Sequence, residues 1–442
     1  MVRLSPAQQR CVDIAHTGAN MVICGHAGSG KSVVLREILK QMVHKAQRKG
    51  FNTGWVAPTG TTGVAGLLVG GSTLNRWAGF GLAEDDPREK GTSASKWTKQ
   101  RVRGTHTLLL DEASMFSAYM LAYLDEYLRG VNQRERAFGG IQVILVGDVG
   151  QLPPVCKRGD TPTKGQFFFE SPLFSEYFKR GNVRILRQNF RQRADPGYAG
   201  ILGRAADGLS TARDLQELMQ CSVPEDTSLD GRGPLLKPTN AKADEHNQRC
   251  LRRLPGALVT FEAACKLMKK DEACGKFDEE STIKSIIKAH IAPEKVHLKP
   301  GAAVVLLANV DPKRGLVNGT TGTVEACDGE TGAVRFAYTF KGQPRTVEVL
   351  PHTWEHKVHR VGVFAYTQIP LNLAWACTVH KSQGMTMDRV CVFPEGFFAP
   401  GMGYVALSRV RAREGLTIVG EITLEVLEPD ARALEFYEAY AQ

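Results

Sequence analysis

The chain has no Cys-x-x-Cys pair. Its ten cysteines are scattered through 442 residues, the usage of reduced thiols, which excludes a zinc ribbon and a disulfide framework. No apolar run approaches the ~18 residues of a membrane-spanning helix. The opening residues Met1-Val2-Arg3-Leu4-Ser5-Pro6 lack the apolar stretch of a secretory signal. These absences predict a soluble, intracellular protein. No internal repeat and no low-complexity segment is present. Acidic residues are in deficit: 46 Asp and Glu against 56 Lys and Arg leave a net charge of +10, which favours a polyanionic partner. Hydrophobic residues make up 43% of the chain, enough for a substantial core, and the length sets a prior of about three domains.

What is present begins with Gly25-His26-Ala27-Gly28-Ser29-Gly30-Lys31-Ser32, which matches the phosphate-cradling pattern G-x-x-x-x-G-K-[ST]. Glycines let the backbone curl so that successive N–H groups point at phosphate oxygens. A helix starting near Lys31 adds the positive end of its dipole. The pattern assigns Lys31 to the β- and γ-phosphates and the Ser32 hydroxyl to Mg²⁺. Residues 20–24 read as a buried strand before the loop. Val34, Leu35, Ile38, Leu39 and Met42 recur at helical spacing after it.

Residues 1–180 alternate strands and helices, as in a doubly wound α/β domain, with strands expected at 20–24, 53–57, 107–110 and 142–146. The charged stretch from about 82 to 104 breaks this rhythm and reads as a surface insertion. A second α/β unit is expected over 181–442. It is interrupted at 256–361 by short strands with the rhythm of a small β-barrel, and resumes at Val363-Phe364-Ala365-Tyr366.

Leu108-Leu109-Leu110-Asp111-Glu112 is a buried strand ending in two carboxylates. A hydrolysing nucleoside triphosphatase uses such a pair: Asp111 for Mg²⁺, Glu112 to orient and deprotonate the attacking water. Gln151, in Gly147-Asp148-Val149-Gly150-Gln151, is placed at another strand end to sense the γ-phosphate. Arg191 and Arg409 supply the guanidinium forks that a phosphoryl transition state calls for. Trp77, Phe80, Trp97, Trp354 and Tyr366 are candidate stacking platforms for single-stranded nucleic acid, with Arg76, Lys96, Lys99, Arg101 and Arg103 near some of them in sequence. The run Lys96–Arg103 reads equally as a solvated face. His352, His356 and His359 with Glu355 have metal-like spacing. In a strand-and-loop region an i, i+4 pair is not expected to share a face, and no cysteine is near, so a zinc site is not assigned.

Together these segments resemble a known family. Leu4-Ser5-Pro6-Ala7-Gln8, the phosphate loop, Ala57-Pro58-Thr59-Gly60, the Asp-Glu pair, Gly147–Pro154, Phe190-Arg191-Gln192, His380-Lys381-Ser382-Gln383-Gly384 and Tyr404-Val405-Ala406-Leu407-Ser408-Arg409 fall in the order of superfamily 1 helicase motifs. Phe138-Gly139-Gly140-Ile141-Gln142, Lys237-Pro238-Thr239-Asn240 and Leu316-Val317-Asn318-Gly319 are similar to the Pif helicases of superfamily 1B. The resemblance covers residues 4 to about 420. It implies two RecA-like P-loop domains, with a wedge or pin insertion in the first and an SH3-like β-barrel insertion in the second. It implies ATP and Mg²⁺ as cofactors, and 5′-to-3′ movement on single-stranded DNA and single-strand/duplex junctions by a protein that is mostly monomeric, with further copies possible on DNA. An ATPase that translocates without unwinding is the alternative. Gln8 looks like the adenine-reading glutamine, and Gly25, Ala27, Gly28, Ser29, Gly30, Lys31 and Ser32 complete the nucleotide contacts. DNA contacts are implied at Thr59, Gly60, Thr239, Asn240, His380 and Lys381. The family usually has His-Ser at Asn75-Arg76; here Arg76 is read as a phosphate grip and Trp77 as a base platform. The first motif begins almost at residue 4, so no long regulatory N-terminal extension is expected.

Overall fold

The computed structural model describes residues 4–441 except 52, 82, 157–158, 230, 271–276, 341 and 359–360. It divides into two compact units, Met1–Pro238 with Thr378–Gln442, and Thr239–Cys377.

The first unit begins with α1 (Pro6–Ala15), β1 (Met21–Gly25), α2 (Lys31–Arg48), β2 (Val56–Gly60), α3 (Gly63–Leu68), β3 (Ser72–Thr73), α4 (Leu74–Ala78), α5 (Pro87–Thr92), α6 (Lys96–Arg103), β4 (Thr107–Asp111), α7 (Ala118–Asn132), β5 (Gln142–Gly147) and β6 (Val183–Leu186). The six strands form a parallel sheet in the order β3-β2-β4-β5-β1-β6. Successive side chains point to opposite faces. Ile23, Leu109, Ile144 and Val146 meet Val34, Leu35, Ile38 and Met42 of α2. Val22, Leu108, Leu110, Val143 and Leu145 meet Tyr123, Leu124, Tyr127 and Leu128 of α7. Because both faces are covered, β1, β4 and β5 read as unbroken apolar runs. Each such side chain contributes about 1.5–3 kcal/mol by burial.

Three local expectations are revised. Thr53–Trp55 is a 3₁₀ turn rather than the start of a strand; Trp55 is stacked between Phe51 and His106, at 5.7 and 4.1 Å, and β2 begins after it. The charged insertion is only half surface. Its two helices are capped by Asp86 and Ser95, and Val102 and Ala83 join the core. A Cβ on Gly91 would come 3.0 Å from Val131 N and 3.2 Å from Gly130 Cα, so α5 lies directly on α7. Finally, Ala433, Phe436 and Tyr437 of the last helix, Ala431–Ala439, pack into the core of the first sheet and not into the later α/β elements.

Phe138-Gly139-Gly140 forms a tight turn with Phe138 at φ +52°, a conformation costly for a bulky residue. Asp125, 2% exposed, holds it there. The Phe138 N–H donates to Asp125 Oδ1 at 2.6 Å, while Arg129 Nε and the Tyr177 hydroxyl donate to Oδ2 at 2.9 and 3.0 Å.

A second set of parallel strands in this unit runs Leu235–Lys237, Val390–Val392, Leu416–Val419, Ser222–Val223 in spatial order.

The unit Thr239–Cys377 is β-rich. An antiparallel sheet orders Gln343–Val349, Val334–Phe340, Thr321–Cys327, Ala303–Leu306 and Leu371–Leu373 around Val304, Val324, Phe336 and Tyr338. Gly362–Gln368, expected to restart the α/β pattern, is instead the middle strand of an antiparallel trio with Ala264–Lys270 and His352–Val358. Phe364, Ala365 and Tyr366 are all buried, which makes an antiparallel centre strand look like a parallel one in sequence. On the strand His352–Val358, His352, Trp354 and His356 alternate onto one face, contrary to the expectation that the i, i+4 pair would not share one. There Trp354 and His356 pack against the His290 ring at 4.7 and 5.0 Å. His359 lies outside the described residues.

Candidate nucleotide and nucleic-acid site

The phosphate loop leaves β1 and enters α2 at the carboxyl edge of the sheet, where ligands of open α/β sheets bind. Gly28 and Gly30 both have φ +82°, a conformation glycine adopts without strain. Space enforces the same choice: a Cβ on Gly28 would lie 2.8 Å from Arg191 Cβ and Asn189 Oδ1, and one on Gly30 would overlap Gln8 Nε2. Gln8 is 5% exposed. Its amide donates to the Ser29 carbonyl at 3.3 Å and its oxygen accepts from the Ser5 N–H at 2.9 Å, so the side chain is clamped against the loop. Lys31 Nζ donates to the Gly25 and His26 carbonyls at 2.6 and 3.0 Å. Ser32 is exposed in the first turn of α2.

β4 delivers the two carboxylates. Asp111 is 6% exposed, and burial, with the charge of Glu112 second, pushes its carboxyl up to about 7. Its Oδ1 accepts from the Glu112 N–H at 2.9 Å. Glu112 sits at φ 55°, ψ 44°, a left-handed kink at the end of β4. Gln383 Nε2 donates to Glu112 Oε2 at 3.0 Å and to Ser114 Oγ at 3.1 Å.

β5 delivers Asp148 and Gln151. Asp148 is fully buried. It accepts from Gln151 Nε2 at 2.9 Å, from the Tyr404 hydroxyl at 3.1 Å and from the Tyr437 hydroxyl at 2.8 Å. The Tyr404 oxygen also accepts from the Ala27 N–H at 2.6 Å. One tyrosine therefore links the phosphate loop to the segment that carries Gln151. His26 lies 3.3 Å from Asp207, whose carboxyl this contact holds below the usual range.

Both arginines reach this region. Arg191 Nη1 donates to the Ser408 carbonyl at 2.7 Å. Arg409 is 1% exposed and donates to the carbonyls of Val405, Ser382 and Met385 and to Ser408 Oγ, at 2.7, 3.2, 3.2 and 2.6 Å. Burial disfavours the charge of each; four bonds offset that cost for Arg409. The buried oxygens Ser29 Oγ and Gln151 Oε1 have no hydrogen-bond partner among the described residues. With the glycine turn, Lys31 and the Asp111-Glu112 pair, this donor set fits a magnesium nucleoside triphosphate.

The expected DNA contacts divide. Thr59 is fully buried and donates to the Leu109 carbonyl at 2.7 Å, so its side chain is not a surface contact. Gly60 is buried beside Gly66 and Ala65. Trp77 is 7% exposed and packs with Leu74, Phe80 and Tyr127 in the core; this corrects its reading as a base platform. Arg76 is exposed. His380 is half-buried with its ring 6.2 Å from that of Phe398, while Lys381 is exposed. In the other unit Thr239 caps the helix Asn240–Arg253, and both Thr239 and Asn240 are exposed. Sequence reasoning did not single out Gln383, Tyr404 or Tyr437. The first two lie inside quoted motifs; Tyr437 carries no local signal.

A family model described as PIF1-like helicase matches residues 5–198, and one described as DNA helicase Pif1, 2B domain, matches 283–326. The ATP-dependent DNA helicase PIF1 of Emericella nidulans is 30% identical over 474 residues, covering 96% of this chain and 61% of that protein. The chain thus spans about three fifths of that relative's length. The crystal structure of the Candida albicans Pif1 helicase superposes with a TM-score of 0.86 at 30% identity, covering all of both chains. That of Bacteroides Pif1 bound to single-stranded DNA superposes with a TM-score of 0.72 at 26% identity, covering 100% of this chain and 97% of the other. With the parallel sheet and the glycine turn at its carboxyl edge, these findings establish a RecA-like helicase fold, and the chain belongs to the PIF1-like helicase family.

Proposed function

We propose that this chain is an ATP-dependent DNA helicase that moves 5′ to 3′ along single-stranded DNA and separates duplex ahead of it. The observation that carries the reading is the bond from Gln383 to Glu112. Glu112 is the group assigned to activate water, and Gln383 stands three residues from His380 in a segment implied to touch DNA. A single side chain therefore ties the hydrolytic carboxylate to the DNA motif, which is the connection a motor requires. Lys31 holds the γ-phosphate, Ser32 and Asp111 hold Mg²⁺, Gln151 senses the γ-phosphate, and Arg191 and Arg409 stabilise charge in the transition state. Mg²⁺, when bound, supplies neutralisation of the phosphate oxygens. Gln8 contacts the adenine. Arg76, Thr239, Asn240, His380 and Lys381 contact DNA, with Thr59, Gly60 and Trp77 supporting the surface from behind. The polarity rests on family membership.

The test is ATP-driven strand displacement on two matched duplexes, one with a 5′ and one with a 3′ single-stranded tail. Displacement only with the 5′ tail is expected. Displacement only with the 3′ tail refutes the polarity. None on either, with DNA-stimulated hydrolysis intact, replaces the helicase reading with a translocase.

A further inference from the structure

Five aromatic side chains are candidate base platforms by sequence, and their burial separates them. Trp77 and Phe80 are 7% and 2% exposed. Trp354 and Tyr366 pack on the ring of His290 at 4.7 and 3.9 Å. Trp97 alone of the five stands in solvent, 74% exposed, on α6. This helix buries Thr98 and Val102. On a helical projection those two share one side; Gln100 lies opposite them, Lys96 and Trp97 flank it, and Arg101 and Arg103 fall at the two edges of the exposed arc.

The charge on this face is unbalanced. α6 contains no carboxylate, and among the described residues none lies within ion-pair distance of Lys96, Arg101 or Arg103. The cations of neighbouring α5 behave differently: Arg88 pairs with Glu126 and Glu135, and Lys90 with Asp85. Arg101 is also anchored. Its Nε donates to the Trp77 carbonyl at 2.7 Å, which brings it beside Arg76 of α4, close enough for the two charges to oppose each other. The result is a strip that runs from Arg76 and Arg101 at one edge of α6, past the bare indole of Trp97, to Lys96. Cations that track a phosphate backbone, with an aromatic platform between them, are the elements of single-strand binding.

We propose that this strip binds single-stranded DNA, with Trp97 stacking on an unpaired base and Arg76, Lys96 and Arg101 taking flanking phosphates. The proposal rests on the reading that the chain binds single-stranded DNA, and it places that binding on a surface outside the nucleotide site. A protein partner with an acidic segment would use the cations but has no need of a base stack, so the base is what the test must probe.

The full chain is titrated with oligodeoxythymidine and with an abasic oligonucleotide of the same length. Trp97→Ala should weaken binding to oligodeoxythymidine by roughly 5- to 150-fold, one stacked base's worth, and should leave binding to the abasic strand unchanged. Trp97→Phe should retain most of the affinity while removing the quench of tryptophan emission that accompanies binding. Lys96→Gln should lower the slope of log affinity against log salt by about 0.7. Hydrolysis without DNA should be the same in all variants. Wild-type affinity of Trp97→Ala for oligodeoxythymidine, an equal loss on both strands, or a full quench persisting in Trp97→Phe overturns the proposal while the DNA-binding reading stands. If the wild-type chain binds neither strand, both readings fall.

Discussion

Glu112→Gln separates chemistry from architecture at the candidate site. The carboxylate accepts from Gln383 Nε2 at 3.0 Å, and a glutamine oxygen in the same place can accept that bond. The backbone kink at φ 55° is unchanged by the side-chain terminus. The substitution should therefore cost the fold less than about 1 kcal/mol. Lys31 and the glycine turn are untouched, so nucleotide affinity should stay within a few-fold. What disappears is the base. General-base assistance contributes roughly 10²- to 10⁴-fold, equivalent to about 2.7–5.5 kcal/mol of barrier, and turnover should fall by that factor. Removing the charge of Glu112 also relieves one of the two influences that push the Asp111 carboxyl upward, so any ground-state effect on the neighbouring carboxylate runs towards ionisation. Steady-state phosphate release at saturating ATP and oligodeoxythymidine gives the turnover. Binding of a fluorescent ATP analogue gives the affinity, and thermal melting gives the stability. Turnover within tenfold of wild type would refute the assignment of Glu112. Parallel loss of nucleotide binding and melting temperature would show that the residue is structural.

Lys31→Ala should abolish hydrolysis, and retained phosphate release would overturn the phosphate-loop assignment. Arg191→Ala and Arg409→Ala should each slow turnover by about 10³-fold or more with ATP still bound. They should differ in stability, because Arg191 gives its guanidinium bond to one carbonyl and Arg409 makes four bonds in full burial. We expect about 1 kcal/mol lost for Arg191→Ala and about 2–4 kcal/mol for Arg409→Ala, read by denaturant melts; equal losses would contradict the geometry. Asp214, contacted by Arg204 Nε at 2.9 Å and by the Thr211 N–H and hydroxyl at 2.9 and 2.8 Å, has its carboxyl held down to about 2 from the ordinary 3.8. A depressed carboxyl stabilises the fold above its unfolded value and loses that contribution as pH falls through the folded one. Asp214→Asn should therefore cost about 2 kcal/mol at pH 7, reduced by screening because Arg204 is 43% exposed. The difference from wild type should shrink as pH drops from about 4 towards 2, and a pH-independent difference would rule the mechanism out.

Everything read correctly from the sequence depends on neighbours along the chain. The glycine turn before α2, the apolar runs of β1, β4 and β5, and the carboxylates closing β4 are each written within about ten residues. The strand at Gly362–Gln368 was legible as a strand but not as an antiparallel one, since a run buried on both faces has the same pattern in either sheet. Trp77 and Trp97 look equally suited to stacking on a base. One is sealed under α7 and the other stands in water, a difference set by what packs across from them. Glu112 meets Gln383 across 271 residues and Ala27 meets Tyr404 across 377. Tyr437 reaches Asp148 from a helix near the end of the chain. Such contacts arise only once the sheets are packed, because hydrogen-bond partners and burial depend on distance in space. The order of residues along the chain sets the chemistry available, and tertiary packing sets which of those groups touch.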